Sequence, residues 1–378
     1  MSAPSTPAPA PSEAASAETP SVAAQADAVK IVQDHAPRML VWDYERSRGR
    51  LVTLYNKATA SQWRAETDLD WSIDVDPERL VDFDSPAMRM VRAAKEVDGS
   101  PLARWGEREM TTFGVEMFRN QISQFMHGEQ AAMMTAAKLV ETVPWIDARY
   151  YAATQTMDEA RHTEVFAKYL DTKLGGEPYP VTPFVEKQIT ALLEDSRWDF
   201  AYLGMQIVLE SLALAAFGML LRRAQEPLLH KMVRYVLSDE ARHVAFGVIS
   251  LSEYYTGLTE AELRDRQEFL VEASLLNQAR TSSPEVWERM GTTLEAAMPS
   301  LMEGAAKVGA HPFAAFLRDF HSKLVPNVRK LGLLDANDGY LRKQWAEHGL
   351  LEYEHADATG SDYASYDVVA RDRAASAA

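Results

Sequence analysis

Apolar residues recur three and four positions apart through most of the chain, and the strict alternation of a half-buried strand is scarce, so the pattern predicts helices. Around Glu129 the positions at helical spacing are Ile122, Phe125, Met126, Met133, Ala136 and Val140. Around Glu210 they are Leu203, Ile207, Ala213, Leu214, Phe217 and Leu221. Each glutamate therefore interrupts an apolar stripe. Helix starts are signalled by Thr259 and Glu262 in capping-box spacing, and by Ser283 ahead of Pro284 and Glu285. Residues 201–221 are apolar all round a helix and long enough to span a bilayer. Glu210 near the middle would be costly in lipid, whereas the centre of a large soluble bundle asks for the same pattern, so no membrane span is expected.

The periodicity fails at both ends. Residues 1–27 are Ala, Pro and Ser with a few acids and lack the basic start and apolar run of a signal peptide, so a disordered tail is predicted. Residues 355–378 are again small and polar, and a second tail is predicted there. Between them, 28–354 reads as one helical domain. A bare four-helix unit needs only about 150 residues, so the remainder predicts flanking helices.

Composition narrows the chemistry. A formal charge of −16 argues against nucleic acid or an anionic membrane as a partner and fits an ordinary cytoplasmic protein. The absence of cysteine excludes disulfides, thiolate metal sites and cysteine nucleophiles. Any metal must be held by carboxylate and imidazole.

Two identical pentapeptides, Asp158-Glu159-Ala160-Arg161-His162 and Asp239-Glu240-Ala241-Arg242-His243, stand 81 residues apart. Glu and His three apart project from one helix face, so each pair can grip one ion. A single Glu-x-x-His is weak evidence, because its ordinary role is a solvated ion pair. Repetition changes the weight: Glu129 and Glu210 each lie thirty residues before the paired glutamates Glu159 and Glu240. Near the midpoints are Pro144 and Gln225, the latter just ahead of Pro227, where a chain would turn. Two antiparallel helices of about 15 residues, roughly 22 Å, then bring each pair of glutamates to one height. Facing hairpins converge four carboxylates and two imidazoles, a ligand set that neutralises two divalent ions. Oxygen and nitrogen donors without sulfur suit iron first, then manganese and, less readily, zinc, with manganese beside iron as a variant. Asp158, Arg161, Asp239 and Arg242 are expected to orient the imidazoles, against the plainer reading of surface ion pairs. His127 should point away from Glu129. The methionines 126, 133, 134, 157 and 205 suit an apolar substrate pocket or, more commonly, core packing. Gln155 and Gln206, one turn before Glu159 and Glu210, suit substrate binding or a bond to a ligand carboxylate.

HGEQAAM around Glu129, DEARHT at 158–163, LGMQIVLES around Glu210 and DEARHVAFG at 239–247 resemble the metal helices of the ribonucleotide reductase small-subunit-like branch of ferritin-like di-iron proteins. Residues 54–74 are similar to the segment preceding those helices. The resemblance implies an all-α, ferritin-like four-helix bundle and an O2-activating oxidoreductase with Glu129, Glu159, His162, Glu210, Glu240 and His243 holding two irons. It also implies a small organic substrate to be hydroxylated, desaturated or N-oxygenated, an electron-donating reductase or ferredoxin, and a homodimer as one available assembly. Three departures stand against particular subfamilies. Phe166 occupies the position of the radical tyrosine of nucleotide reductases, Leu214 that of a monooxygenase threonine, and Val236 that of the third histidine of N-oxygenases. The alternatives are an iron-oxidising storage protein, which the chain length argues against, and a radical generator, which Phe166 argues against.

Overall fold

The computed structural model describes residues 30–275, 284–309, 311, 313–356 and 368–377. The predicted tail 1–27, Ser283 and residues 357–367 and 378 of the second predicted tail lie outside the described residues. The chain divides into two compact units, Met1–Gln33 and Asp34–Ala378. The second contains every described helix, and no strand occurs among the described residues.

Gly49–Ala60 (α1), Ala65–Asp68 (α2) and Pro86–Lys95 (α3) precede the long helices. Glu107–Thr142 (α4) and Ile146–Tyr169 (α5) form the first hairpin. After Pro183–Glu194 (α6), Trp198–Tyr202 (α7) runs through a π-helical stretch, Leu203–Leu209, into Glu210–Arg223 (α8). Pro227–Tyr254 (α9) returns antiparallel and closes the second hairpin. Outside this four-helix bundle lie Glu260–Ser274 (α10), Pro284–Arg289 (α11), Leu294–Val308 (α12), Ala314–Lys330 (α13), Ala336–Glu347 (α14) and Val368–Ala377 (α15).

Each hairpin turns where its proline predicts. The N–H of Val143 donates to Leu139 O at the end of α4, and Pro144 sits in the gap before α5. Pro227 opens α9, where a missing N–H costs nothing, and the Glu226 carboxylate accepts from the N–H groups of Leu228 and Leu229 at 2.6 and 2.7 Å. Thr259 and Glu262 form the expected capping box at α10. All residues from Tyr235 to Leu251 are buried, which makes α9 the most enclosed helix of the bundle. A second apolar cluster, including Val91, Trp105, Phe113, Trp287 and Leu301, joins α3, α11 and α12 to the start of α4. Gly304 lets α12 lie directly on α3, since a β-carbon there would fall 2.7 Å from Met90 O and Ala94 N.

One local expectation changes and one holds. Val368–Ala377 is helical where the sequence suggests a polar tail: Val369 is buried, and Arg234 Nη2 on α9 lies 3.3 Å from Asp372 Oδ1. Two adjacent valines are too few to give a visible repeat. The apolar run at 201–221 lies in Trp198–Arg223, one helical span long and apolar enough to cross a membrane, and most of its apolar window is buried inside the protein.

Candidate metal centre

Glu129 on α4, Glu159 and His162 on α5, Glu210 at the start of α8, and Glu240 and His243 on α9 meet in the middle of the bundle, none more than 6% exposed. They form two sets. Glu129, Glu159, His162 and Glu240 can each turn one ligand atom to within 4.8 Å of the others, and so can Glu159, Glu210, Glu240 and His243. Glu159 and Glu240 belong to both. His162 Nδ1 lies 3.0 Å from Glu240 Oε1, 3.3 Å from Glu159 Oε2 and 3.5 Å from Glu129 Oε2. His243 Nδ1 lies 2.9 Å from Glu240 Oε2, 3.2 Å from Glu159 Oε1 and 3.5 Å from Glu210 Oε1.

The opposite nitrogens of the rings face aspartates, and the pairing is crossed. His162 Nε2 is 3.0 Å from Asp239 Oδ2, and His243 Nε2 is 3.4 Å from Asp158 Oδ2. Each pentapeptide thus orients the histidine of the other. With Nε2–H committed to a carboxylate, Nδ1 is the atom left to face the glutamates. Arg161 bonds both aspartates, at 2.6 Å to Asp158 and 2.9 Å to Asp239, and Arg242 bonds Asp239. All four of these charged residues are buried, so the surface-pair reading fails and the orienting one is supported.

Two residues between α1 and α2 escape sequence reasoning. Trp63 donates its indole N–H to Asp239 Oδ2 at 2.8 Å, and Gln62 donates to Asp158 Oδ1 at 2.7 Å while accepting from Arg161 at 2.7 Å. They lie inside the 54–74 stretch, outside the two segments that repeat at 81 residues.

Burial and then Glu240 push the carboxyl groups of Glu129 and Glu210 well above the usual carboxylate range. Burial also works upward on Glu240, but His243, Glu210 and His162 outweigh it and hold Glu240 below that range. Burial disfavours charge on both imidazoles. It is outweighed at His162 by Asp239 and the surrounding glutamates, and at His243 by Glu159 and Glu240, so both stand well above the ordinary histidine value. These upward directions favour the protonated forms, which lessens the repulsion among the four carboxylates. Even so, His162 Nδ1, Glu159 Oε2 and Glu240 Oε1 are buried without a hydrogen-bond partner. Unpartnered buried atoms of this kind, on four carboxylates and two imidazoles, fit divalent cations in place of those protons.

No family model matches the chain, and no curated protein matches it. Solved structures do. The chain is similar to R2-like ligand-binding oxidases. A variant of that protein with an anaerobically reconstituted Mn/Fe cofactor shares 16% identity over 80% of this chain and 94% of its own, with a TM-score of 0.41. The same oxidase with an aerobically reconstituted Mn/Fe cofactor after a long soak shares 14% over 84% and 94%, with a TM-score of 0.38. At such distances the functional argument rests on the side chains themselves.

Around the cluster the two halves differ. Gln155 donates to Glu159 Oε1 at 2.9 Å and to Glu210 Oε1 at 3.1 Å, and Gln206, on the π-helical stretch, donates to Gln155 Oε1 at 2.9 Å. In this arrangement Gln155 serves carboxylates. Phe166 packs with Phe125 and Phe217, ring centroids 4.8–5.7 Å apart, as an apolar block. His127 bonds Tyr179 O at 2.8 Å, away from Glu129 as expected. The methionines do not line a common pocket: Met205 is buried, but Met134 and Met157 are exposed on the outer face of the first hairpin. Their spacing put them on helices but could not say which face met solvent.

Proposed function

We propose that this protein is a di-metal oxidase or oxygenase that activates O2 and oxidises a small organic substrate by hydroxylation, desaturation or N-oxygenation. The observation that carries the reading is the pair of four-residue sets sharing Glu159 and Glu240. The shared carboxylates would help hold both ions, Glu129 with His162 completing one position and Glu210 with His243 the other. Four carboxylates and two neutral imidazoles balance two divalent charges, and the donor set suits two irons or a manganese–iron pair. Such ions, when bound, supply the Lewis acidity and redox change needed to reduce O2.

The protein's own share is geometric. Asp239 and Asp158 hold the Nε2 protons so that both Nδ1 atoms face the carboxylates. Arg161, Arg242, Trp63 and Gln62 hold the aspartates in turn, which limits the reorganisation the ligands can undergo. Phe125, Phe166 and Phe217 keep one side of the centre free of water. Two electrons per turnover come from a partner reductase or ferredoxin, and a cytoplasmic monomer or homodimer is the expected form.

The test is metal analysis of protein made in iron-replete cells, with O2 consumption measured against aromatic, fatty-acyl and amine compounds. Two ions per chain and substrate-dependent O2 uptake are expected. A large hollow assembly that oxidises Fe(II) without substrate would favour storage. Phe166 bears no hydroxyl, and Tyr169 seven residues after His162 donates its own to Glu226 at 3.2 Å. Reduced, loaded protein exposed to O2 should therefore show no long-lived tyrosyl signal by electron paramagnetic resonance, and a near-stoichiometric one would restore the radical-generator reading.

A further inference from the structure

The ligands repeat at an interval of 81 residues, but their hydrogen bonding does not. On the Glu210–His243 side the atoms are satisfied within the protein. His243 Nδ1 bonds Glu240 Oε2 at 2.9 Å, and one amide of Gln155 reaches both Glu159 Oε1 and Glu210 Oε1. The three unpartnered ligand atoms, His162 Nδ1, Glu159 Oε2 and Glu240 Oε1, all face the Glu129–His162 side. The sequence explains why. The counterpart of Gln155 in the other hairpin is Val236, and that of Gln206 is Phe125, neither of which can donate a side-chain hydrogen bond.

We infer that Gln155, braced by Gln206, is a positioning residue that makes the two metal positions unequal, so that the Glu129–His162 position fills first and the Glu210–His243 position second. The inference rests on the proposed di-metal centre. A buried polar atom with no partner is costly, so an ion that engages three of them gains more than one entering a satisfied site. At the second position the ion must compete with the Gln155 amide for the same two oxygens, Glu159 Oε1 and Glu210 Oε1, which lie 3.2 and 3.5 Å from His243 Nδ1. Gln206 holds the amide in place by fixing its carbonyl end. The π-helical stretch that carries Gln206 is itself held by α9: a β-carbon on Gly247 would fall 2.5 Å from Gln206 Cβ.

The experiment uses full-length, metal-free protein. One equivalent of Mn(II) is added before crystallisation and located by its anomalous scattering, with density expected between Glu129 and His162. Anaerobic Co(II) titration followed by d–d absorption should resolve two steps. In Gln155→Leu and Gln155→Met the ratio of the two affinities should narrow about tenfold, the scale at which residues behind a ligand act on metal affinity. Gln206→Leu keeps the amide but frees it, and should shift the ratio the same way by less. One-equivalent density between Glu210 and His243, or an unchanged ratio in folded Gln155 variants, overturns the inference and leaves the di-metal function standing. Should neither Gln155 variant fold, the one-equivalent location decides alone. Uptake of fewer than two ions by the unaltered protein sinks the function itself, and this inference with it.

Discussion

The two hairpins of the bundle carry the same three candidate ligands at the same spacing, yet their flanks do not repeat. In the first, Phe125 and Phe166 stand where the second has Gln206 and Gly247. Two bulky rings on one side and a glutamine against a glycine on the other mean that the repeat covers the candidate ligands and the Asp–Arg pairs behind them but not these flanks. The comparison teaches that internal symmetry in such a bundle can stop one helical turn from the residues it pairs.

The largest effect should come from the residues that the hairpins share. Glu159→Ala and Glu240→Ala should each abolish tight binding of both ions, because each carboxylate belongs to both sets. His162→Ala and His243→Ala should each weaken mainly one. Elemental analysis after dialysis checks this, and retention of two ions in Glu159→Ala would break the symmetric description of the ligands.

Next come the crossed aspartates. Asp239 takes bonds from Trp63, Arg161, Arg242 and His162, whereas Asp158 lies a longer 3.4 Å from His243. Asp239→Asn should lower affinity at the Glu129–His162 position about 10- to 100-fold, and Asp158→Asn should act more weakly and at the other position. Competition titration against a chelator measures both, and equal effects at one position would show that the crossing is not felt by the ions.

The flanks are read through stability, not through metal affinity. Gly247→Ala puts a methyl group into Gln206 Cβ at 2.5 Å and Ile207 Cδ1 at 3.0 Å, so it should cost about 1–3 kcal/mol as an overpacked core does. Phe166→Ala in the other half opens a cavity instead and should cost about 3–5 kcal/mol. Urea denaturation of the metal-free protein compares the two. A neutral Gly247→Ala would mean that the π-helical stretch yields freely.

Much of the centre is legible in the sequence because helical periodicity is rigid: a fixed rise per residue turns thirty-residue separations around Pro144 and Gln225 into matched heights. What lies across the bundle is not legible. No spacing rule tells that Asp158 serves His243 rather than His162, since i,i+3 and i,i+4 neighbours are all that one helix reveals. The π-helical turn before Glu210 is hidden for a similar reason, because the apolar run from Leu203 to Leu209 reads the same at either pitch. Trp63 and Gln62 act on the site from outside the four metal helices, where no repeat marks them. The helix Val368–Ala377 shows the opposite limit, a short element held by tertiary contact with α9 and with almost no signal of its own.

The crossed aspartates also bear on the order of events as the chain acquires its structure. A lone hairpin offers Glu-x-x-His with an imidazole free to turn, since the carboxylate that would steady it sits 77 or 85 residues away on the other hairpin. Selective ligation is therefore deferred until both halves have docked, and a nascent chain is a poor trap for whichever ion it meets first.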